Sequence, residues 1–167
     1  MDNVKIFFEY FGYLSSTIVI FSLISGFILW SKGTLKVLYR LGKRLAISKV
    51  AIFAKGDNLT SLKGLLDDTG LFDKKNIGEI VQKGDIENAK DFSIFLVYWS
   101  DWESDYESIL SQKSKKTALI IYHPSEKDPI KPEQMKRLNE KRNVFVVRFR
   151  GRLLNDILIS MITRGIG

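Results

Sequence analysis

The sequence predicts an α/β protein: one N-terminal transmembrane helix, then a flavodoxin- or Rossmann-like, mostly parallel five-stranded sheet with helices on both faces. Three observations carry that reading. Tyr10 to Ser31 form an uncharged run, YFGYLSSTIVIFSLISGFILWS. Six basic residues and no acidic one follow it, at Lys32, Lys36, Arg40, Lys43, Arg44 and Lys49. From Lys49 onward, apolar runs alternate with amphipathic stretches, the pattern of successive βαβ units. The chain therefore divides into a span over residues 1–31, a basic juxtamembrane segment over 32–48 and a cytoplasmic Rossmann-like domain over 49–167.

The span comes first. At about 1.5 Å per residue, some 20 helical residues from Phe11 to Trp30 cover the roughly 30 Å hydrocarbon core of a bilayer. Phe7, Phe8, Tyr10, Phe11 and Tyr13 mark one interface and Trp30 the other, as aromatic belts do. Basic residues flanking a span are retained in the cytoplasm, and here they follow it, against Lys5, Asp2 and Glu9 on the other side. The expectation is a single-pass protein of a bacterial-type inner membrane, N-terminus outside. A cleaved signal peptide would need its positive charge before the run and small residues after it, where Phe27, Ile28, Leu29 and Trp30 stand.

Within the run, Gly12, Ser15 or Ser16, Val19, Ser22 or Leu23, and Gly26 recur at spacings of three and four, on one helix face. Small residues so placed let two helices approach closely, so the face predicts homo-oligomerisation, with Ser22 and Gly26 a small-xxx-small pair. The alternative is that the serines only bond back to their own backbone. Ser15, Ser16, Thr17, Ser22 and Ser25 would also serve to line an aqueous path in an oligomer.

Charge is unevenly placed. Residues 1–30 carry net −1, residues 31–49 net +6 and residues 50–167 net +2, so the pI near 9.5 reflects the juxtamembrane segment. Anionic lipid is the partner such a segment fits, and binding of a nucleic-acid duplex loses its support. With no cysteine and one histidine, His123, disulfide frameworks and Cys/His zinc sites are excluded, and no metal ligand set is expected. Absence of cysteine suits a reducing compartment.

The strands expected are Val50–Lys55, Ile77–Val81, Phe92–Trp99, Thr117–Tyr122 and Val144–Phe149. Four are nearly continuous β-branched and aromatic runs, as in strands buried on both faces. Between them, Leu59, Leu62, Leu65 and Leu66 form one apolar helix face, with Asn58 as N-cap and Gly70 as stop. A short helix falls at Ile86–Lys90. Trp102, Tyr106, Ile109 and Leu110 mark a further helix, and Pro132 suits the first turn of one carrying Met135 and Leu138. The last helix carries Leu153, Leu154, Ile157, Leu158, Met161 and Ile162. Right-handed crossovers then favour the strand order 2-1-3-4-5. Segment 31–48 reads as a basic helix with Leu35, Leu38, Leu41 and Leu45 on one side.

Ligands of open α/β sheets bind beyond the carboxyl ends of the strands. Those ends carry Lys55-Gly56-Asp57-Asn58, Trp99-Ser100-Asp101-Trp102, His123-Pro124-Ser125 and Arg150-Gly151-Arg152. Arginines beside a glycine at the start of a helix suit a phosphate-like anion, and a tryptophan face suits a base. The candidate ligand-binding residues are therefore Lys55, Asn58, Trp99, Ser100, His123, Arg150, Gly151 and Arg152. The competing reading makes the arginines partners of Asp156, His123 a surface residue and the tryptophans core anchors. Neither GxGxxG nor GxxxxGK[ST] occurs. Lys55-Gly56, Ser100-Asp101 and Arg150 also stand where a phosphoacceptor receiver would place its acids and lysine.

Over residues 49–164 this architecture resembles the small Rossmann-like sensor and effector domains of bacterial antiphage systems. CARF domains, which bind cyclic oligonucleotides, and TIR domains, which cleave NAD, are the two relevant families. Likeness to a CARF effector implies a nucleotide or cyclic oligonucleotide ligand at Arg150-Gly151-Arg152. Likeness to a TIR domain implies a catalytic glutamate at Glu103 or Glu107, beside Trp102, although the Trp-Cys-x-x-Glu surroundings of TIR enzymes are absent. The expectation is a membrane sensor or effector whose domain binds a nucleotide-like anion and reorganises an oligomer of spans. A tethered NAD or nucleotide hydrolase and a non-catalytic recruitment module are the alternatives.

Overall fold

The computed structural model describes residues 2–124 and 129–163. Two compact units divide between Gly42 and Lys43. Helix α1 (Asp2–Ile47) forms the first, carries its last residues into the second and runs unbroken through both the uncharged run and the basic segment. No proline precedes Pro124, and isolated glycines cost a helix only about 1 kcal/mol each, so nothing interrupts it at the expected boundary between residues 31 and 32. Lys5–Lys36 is long and apolar enough to cross a membrane, and its most apolar window is 0% buried. A core helix would bury that window. Leu35 is exposed; the side chains of Leu38, Leu41 and Leu45, and the whole of Ser125, lie outside the described residues.

The second unit is the α/β domain. Strands β1 (Val50–Phe53), β2 (Ile77–Ile80), β3 (Ile94–Tyr98), β4 (Ala118–Tyr122) and β5 (Val144–Val147) form one five-stranded sheet. Its order is β2-β1-β3-β4-β5 with every neighbouring pair parallel, the order expected from the sequence. Helices α2 (Gly56–Asp68) and α6 (Arg150–Thr163) cover one face. Leu62, Leu66, Leu153, Ile157 and Met161 pack there against Val50, Ile52, Leu96 and Ile120. The other face packs Phe53, Phe95, Val97 and Ile121 under a 3-10 segment (Lys83–Asp91), α3 (Trp99–Trp102), α4 (Tyr106–Gln112) and α5 (Pro132–Asn139). Each aliphatic or aromatic side chain so buried stabilises the fold by about 1.5–3 kcal/mol.

Several local expectations change. The central strands β1, β3 and β4 are buried almost throughout, whereas β5, equally apolar in sequence, is a half-buried edge. β1 and β5 also end two residues early, at Phe53 and Val147, because the chain leaves the ladder to start α2 and α6. Lys55, not Asn58, occupies the N-cap position of α2, and Gly56 at φ 50° supplies the left-handed turn into it. The segment Ile86–Lys90 is a 3-10 helix that buries Ile86 and Ala89, the i, i+3 alignment that three residues per turn produces. Between α3 and α4 the helix tightens to a 3-10 turn at Glu103–Asp105, where Ser104 and Asp105 compete with helical bonding. Pro132 takes the first turn of α5, and Gln134 Oε1 accepts the Lys131 N–H at 2.9 Å.

Candidate functional site

The strand order reverses at β1, so the crevice between the carboxyl ends of β1 and β3 is the topological switch point. There β1 hands over to α2 through Ala54 and Lys55, and β3 passes directly into α3. Asp101 of α3 bridges the two. Its Oδ2 accepts the Lys55 N–H at 2.7 Å, and its carboxylate accepts from Asn58 Nδ2 at 3.0 and 3.2 Å. A negative charge at a helix N-terminus is where an anion gains most from free N–H groups and the helix dipole. The protein places its own carboxylate there. The Lys55 ammonium lies 5.0 Å from the centroid of the Trp102 ring, a cation–π contact. Nearby, Lys83 binds Asp105 at 2.7 Å, and that hydrogen bond holds the Asp105 carboxyl below its ordinary range, with Lys55 adding to the effect.

On the same side of the sheet, Arg150 ties the start of α6 to α2. Its guanidinium donates to the Ser61 hydroxyl and, at 3.0 Å, to the Ser61 carbonyl. Beyond β5, an open cleft of about 300 Å³ is lined by Met135, Val146, Val147, Arg148, Phe149, Arg152 and Asp156. Phe149 is 69% exposed. Two guanidinium groups, one carboxylate and an accessible aromatic ring thus meet at the edge of the sheet. The volume is at the lower end of small-molecule sites.

The sequence candidates separate into groups. Lys55 and Asn58 come together at the switch point, but through Asp101, with Asn58 oriented by the carboxylate and not acting as the N-cap. Ser100 is exposed on α3. Trp99 is fully buried, and its ring packs 5.7 Å from Tyr106, so the stacking face expected of it is a core contact. Trp102 is also fully buried, edge-on to Phe53. His123 is 3% exposed at the end of β4, where its N–H donates to the Val147 carbonyl, so it is not a surface residue. Arg150, Gly151 and Arg152 form the first turn of α6, not a loop before it. Of the three, Arg152 lines the cleft.

The glutamates face α5. Glu103 accepts from Gln134 at 3.2 Å, and Glu107 pairs with Arg137 at 2.9 Å and accepts from the Tyr106 hydroxyl at 2.8 Å. Burial, then the bond to Glu107, pushes the Tyr106 phenol up. Among the described residues no cluster of three metal-ligating side chains occurs.

Arg148, Phe149 and Ser61 were not singled out by the sequence. Arg148 and Phe149 look like the end of a strand because VFVVRF is a nearly continuous apolar run; only the early end of β5 frees them. Asp101 joins residues 43 and 46 positions away, a contact no local pattern encodes.

No protein-family model matches the chain. No curated protein matches it either. Among solved structures, the E. coli constitutive lysine decarboxylase is similar over 71% of this chain, with a TM-score of 0.48 and 14% identity; the similar region spans 17% of that chain.

Proposed function

We propose that this chain is a single-pass membrane sensor: α1 spans the membrane with its N-terminus outside, and the cytoplasmic α/β domain takes a nucleotide-like anion at its carboxyl edge. Binding there biases how the spans associate. The observation that supports the reading most is the cleft beyond β5, where Arg148 and Arg152 offer guanidinium groups and Phe149 an exposed ring. Guanidinium forks suit phosphate oxygens and an open aromatic face suits a base. A role in antiphage defence extends this reading through the resemblance of architecture.

The short connection from α1 to β1 supports transmission. Ser48 and Lys49 alone separate α1 from β1. The Lys49 carbonyl accepts from the N–H groups of Ser93 and Ile94 at 2.9 and 3.1 Å, and its own N–H donates to the Ser93 hydroxyl at 3.0 Å. A ligand shifts such an equilibrium only by its difference in affinity between the two arrangements.

Calorimetric titration of the full chain in detergent with ATP, NAD, cyclic mononucleotides and cyclic oligoadenylates tests the site. At least one probe should bind, and Arg148→Ala and Arg152→Ala should each weaken it by about tenfold or more, the loss of one charge-assisted contact. No binding by any probe, or binding by both variants as tight as by the unsubstituted chain, overturns the proposal. Turnover of NAD or ATP abolished by Glu103→Gln or Glu107→Gln would put the hydrolase reading in its place.

A further inference from the structure

All five strands are parallel, so one edge of the sheet collects every segment that enters a strand, and α1 feeds β1 at that same edge. Those entering segments (residues 48–49, 69–76, 92–93, 113–117 and 140–143) carry eight basic residues against two acidic ones. Adding the last turn of each helix that precedes β2, β3, β4 and β5 brings in Asp67, Asp68 and Asp91, but also Lys90, Lys136 and Arg137. The excess is unchanged.

Lys49, Lys74, Lys115, Lys116, Lys141 and Arg142 are all exposed. Of the eight bases, Lys75 is the one with a carboxylate partner among the described residues, Asp73 at 2.8 Å. At the opposite edge two of the lysines are matched by carboxylates: Lys83 pairs with Asp105 and Lys131 lies 3.9 Å from Glu103.

Segments 113–117 and 140–143 are tied into one surface. Lys113 Nζ donates to the Arg142 carbonyl at 2.6 Å, and Asn143 Nδ2 donates to the Lys115 carbonyl at 3.2 Å. Asn143 takes φ 58°, a left-handed conformation that asparagine tolerates, to close that junction. Burial, and then the positive charge of Lys141, pushes the Lys113 ammonium down. Like charges thus stand side by side at this edge, with Lys113 half-buried among them.

We infer that the amino edge of the sheet is a docking surface for anionic lipid headgroups, separate from the basic segment of α1 and formed by residues of the folded domain. This rests on the membrane reading of α1. Charge complementarity and chain connectivity choose the occupant. α1 ends at Ile47 and β1 begins at Val50, so this edge is joined to the span by the shortest run of chain. A polybasic surface so tethered is attracted to phosphatidylglycerol or phosphatidylserine and released by salt.

The test is lysine acetylation read by mass spectrometry on the full chain in nanodiscs, of phosphatidylcholine alone or with 30% phosphatidylglycerol. Resistance to alkaline extraction from vesicles reports insertion independently. Lys115, Lys116 and Lys141 should label at least about threefold more slowly in the anionic discs, with protection lost in 0.5 M salt and Lys83 unaffected. The triple variant Lys115→Glu, Lys116→Glu, Lys141→Glu should remove the protection of Lys74 while leaving insertion intact. Equal labelling in the two lipids by an inserted chain overturns the inference and leaves the span standing. A chain extracted by alkali overturns both. Stronger protection by a nucleic-acid duplex, in phosphatidylcholine discs at physiological salt, would assign the edge to nucleic acid instead.

Discussion

Replacing Asp101 by alanine removes the carboxylate that closes the β1–β3 crevice, and the structure sets the size of the effect. Three hydrogen bonds go: from the Lys55 N–H at 2.7 Å and from Asn58 Nδ2 at 3.0 and 3.2 Å. A hydrogen bond to an ionised partner contributes about 1.5–3 kcal/mol, and loss of a side chain that binds a helix start costs about 0.5–2 kcal/mol. Asp101 and Asn58 are half-buried and Lys55 is exposed, so water recovers part of the loss. The expected destabilisation is about 2 kcal/mol. With a urea slope of about 1.5 kcal/mol per molar, the unfolding midpoint falls by about 1.3 M at unchanged slope.

Tryptophan emission reads the transition, because Trp99 and Trp102 are fully buried in the domain. A Trp30→Phe background silences the tryptophan on α1. Asp101→Asn keeps one acceptor for the Lys55 N–H but sets its amide against that of Asn58, so it should cost about half as much. Asn58→Ala should add little once Asp101 is gone, since neighbours in one network are not additive. A loss below about 0.5 kcal/mol for Asp101→Ala, or equal losses for alanine and asparagine, would refute the claim that the carboxylate holds α2 to α3.

Three further outcomes follow from the same geometry. A methyl group on Gly78 would overlap the Phe92 ring, so Gly78→Ala should cost about 1–3 kcal/mol by thermal unfolding, and Phe92→Leu in the same chain should recover part of it. The Asp105 carboxyl is held down by Lys83; its contribution is present above the ordinary carboxylate range and is lost as pH falls through the depressed value. Asp105→Asn should therefore flatten the acid limb of a stability–pH curve, and an unchanged limb would remove the pair from the account. On the small-residue face of α1, Gly26→Leu and Ser22→Leu should each weaken self-association in detergent by about tenfold, measured by sedimentation equilibrium; Ile20→Leu, a volume-conserving change, should not.

What the sequence disclosed and what it hid divide along a physical line. Strand order came from alternation and handedness, both local or topological rules, and Leu62, Leu66, Leu153 and Ile157 face the sheet as their periodicity requires. Edge and interior strands are indistinguishable in sequence, because VFVV in β5 and VAIF in β1 are both wholly apolar while only tertiary neighbours decide what covers them. The candidate site was read least well. Trp99 looks like a ligand platform by its place after β3, yet the turn directly into α3 rotates it into the core. Arg150 looks free by its place before a helix, yet Ser61, 89 residues earlier, already binds it. Position at a strand end is readable; whether the fold has already used the side chain is not.

That distinction bears on how a ligand would act. At the switch point the anion position is already occupied by Asp101, and Arg150 is already engaged, so a ligand there has to displace internal contacts and gains only the difference. Beyond β5 the cleft holds Arg148 and Arg152 with no such bonds among the described residues, so binding there starts from groups that water alone satisfies. Affinity is then favoured at the β5 edge, whereas leverage is favoured at the switch point, since β1 is the strand that continues into α1 through Ser48 and Lys49. A signal from the cleft has two strands, β4 and β3, to cross before it reaches β1. The first turn of α6 offers the shorter route: Arg152 lines the cleft, Arg150 holds Ser61 of α2, and α2 is continuous with β1 across Ala54 and Lys55. On the proposed function, displacement of α6 by a bound anion would act on α2 through Arg150, the side chain that joins the two helices.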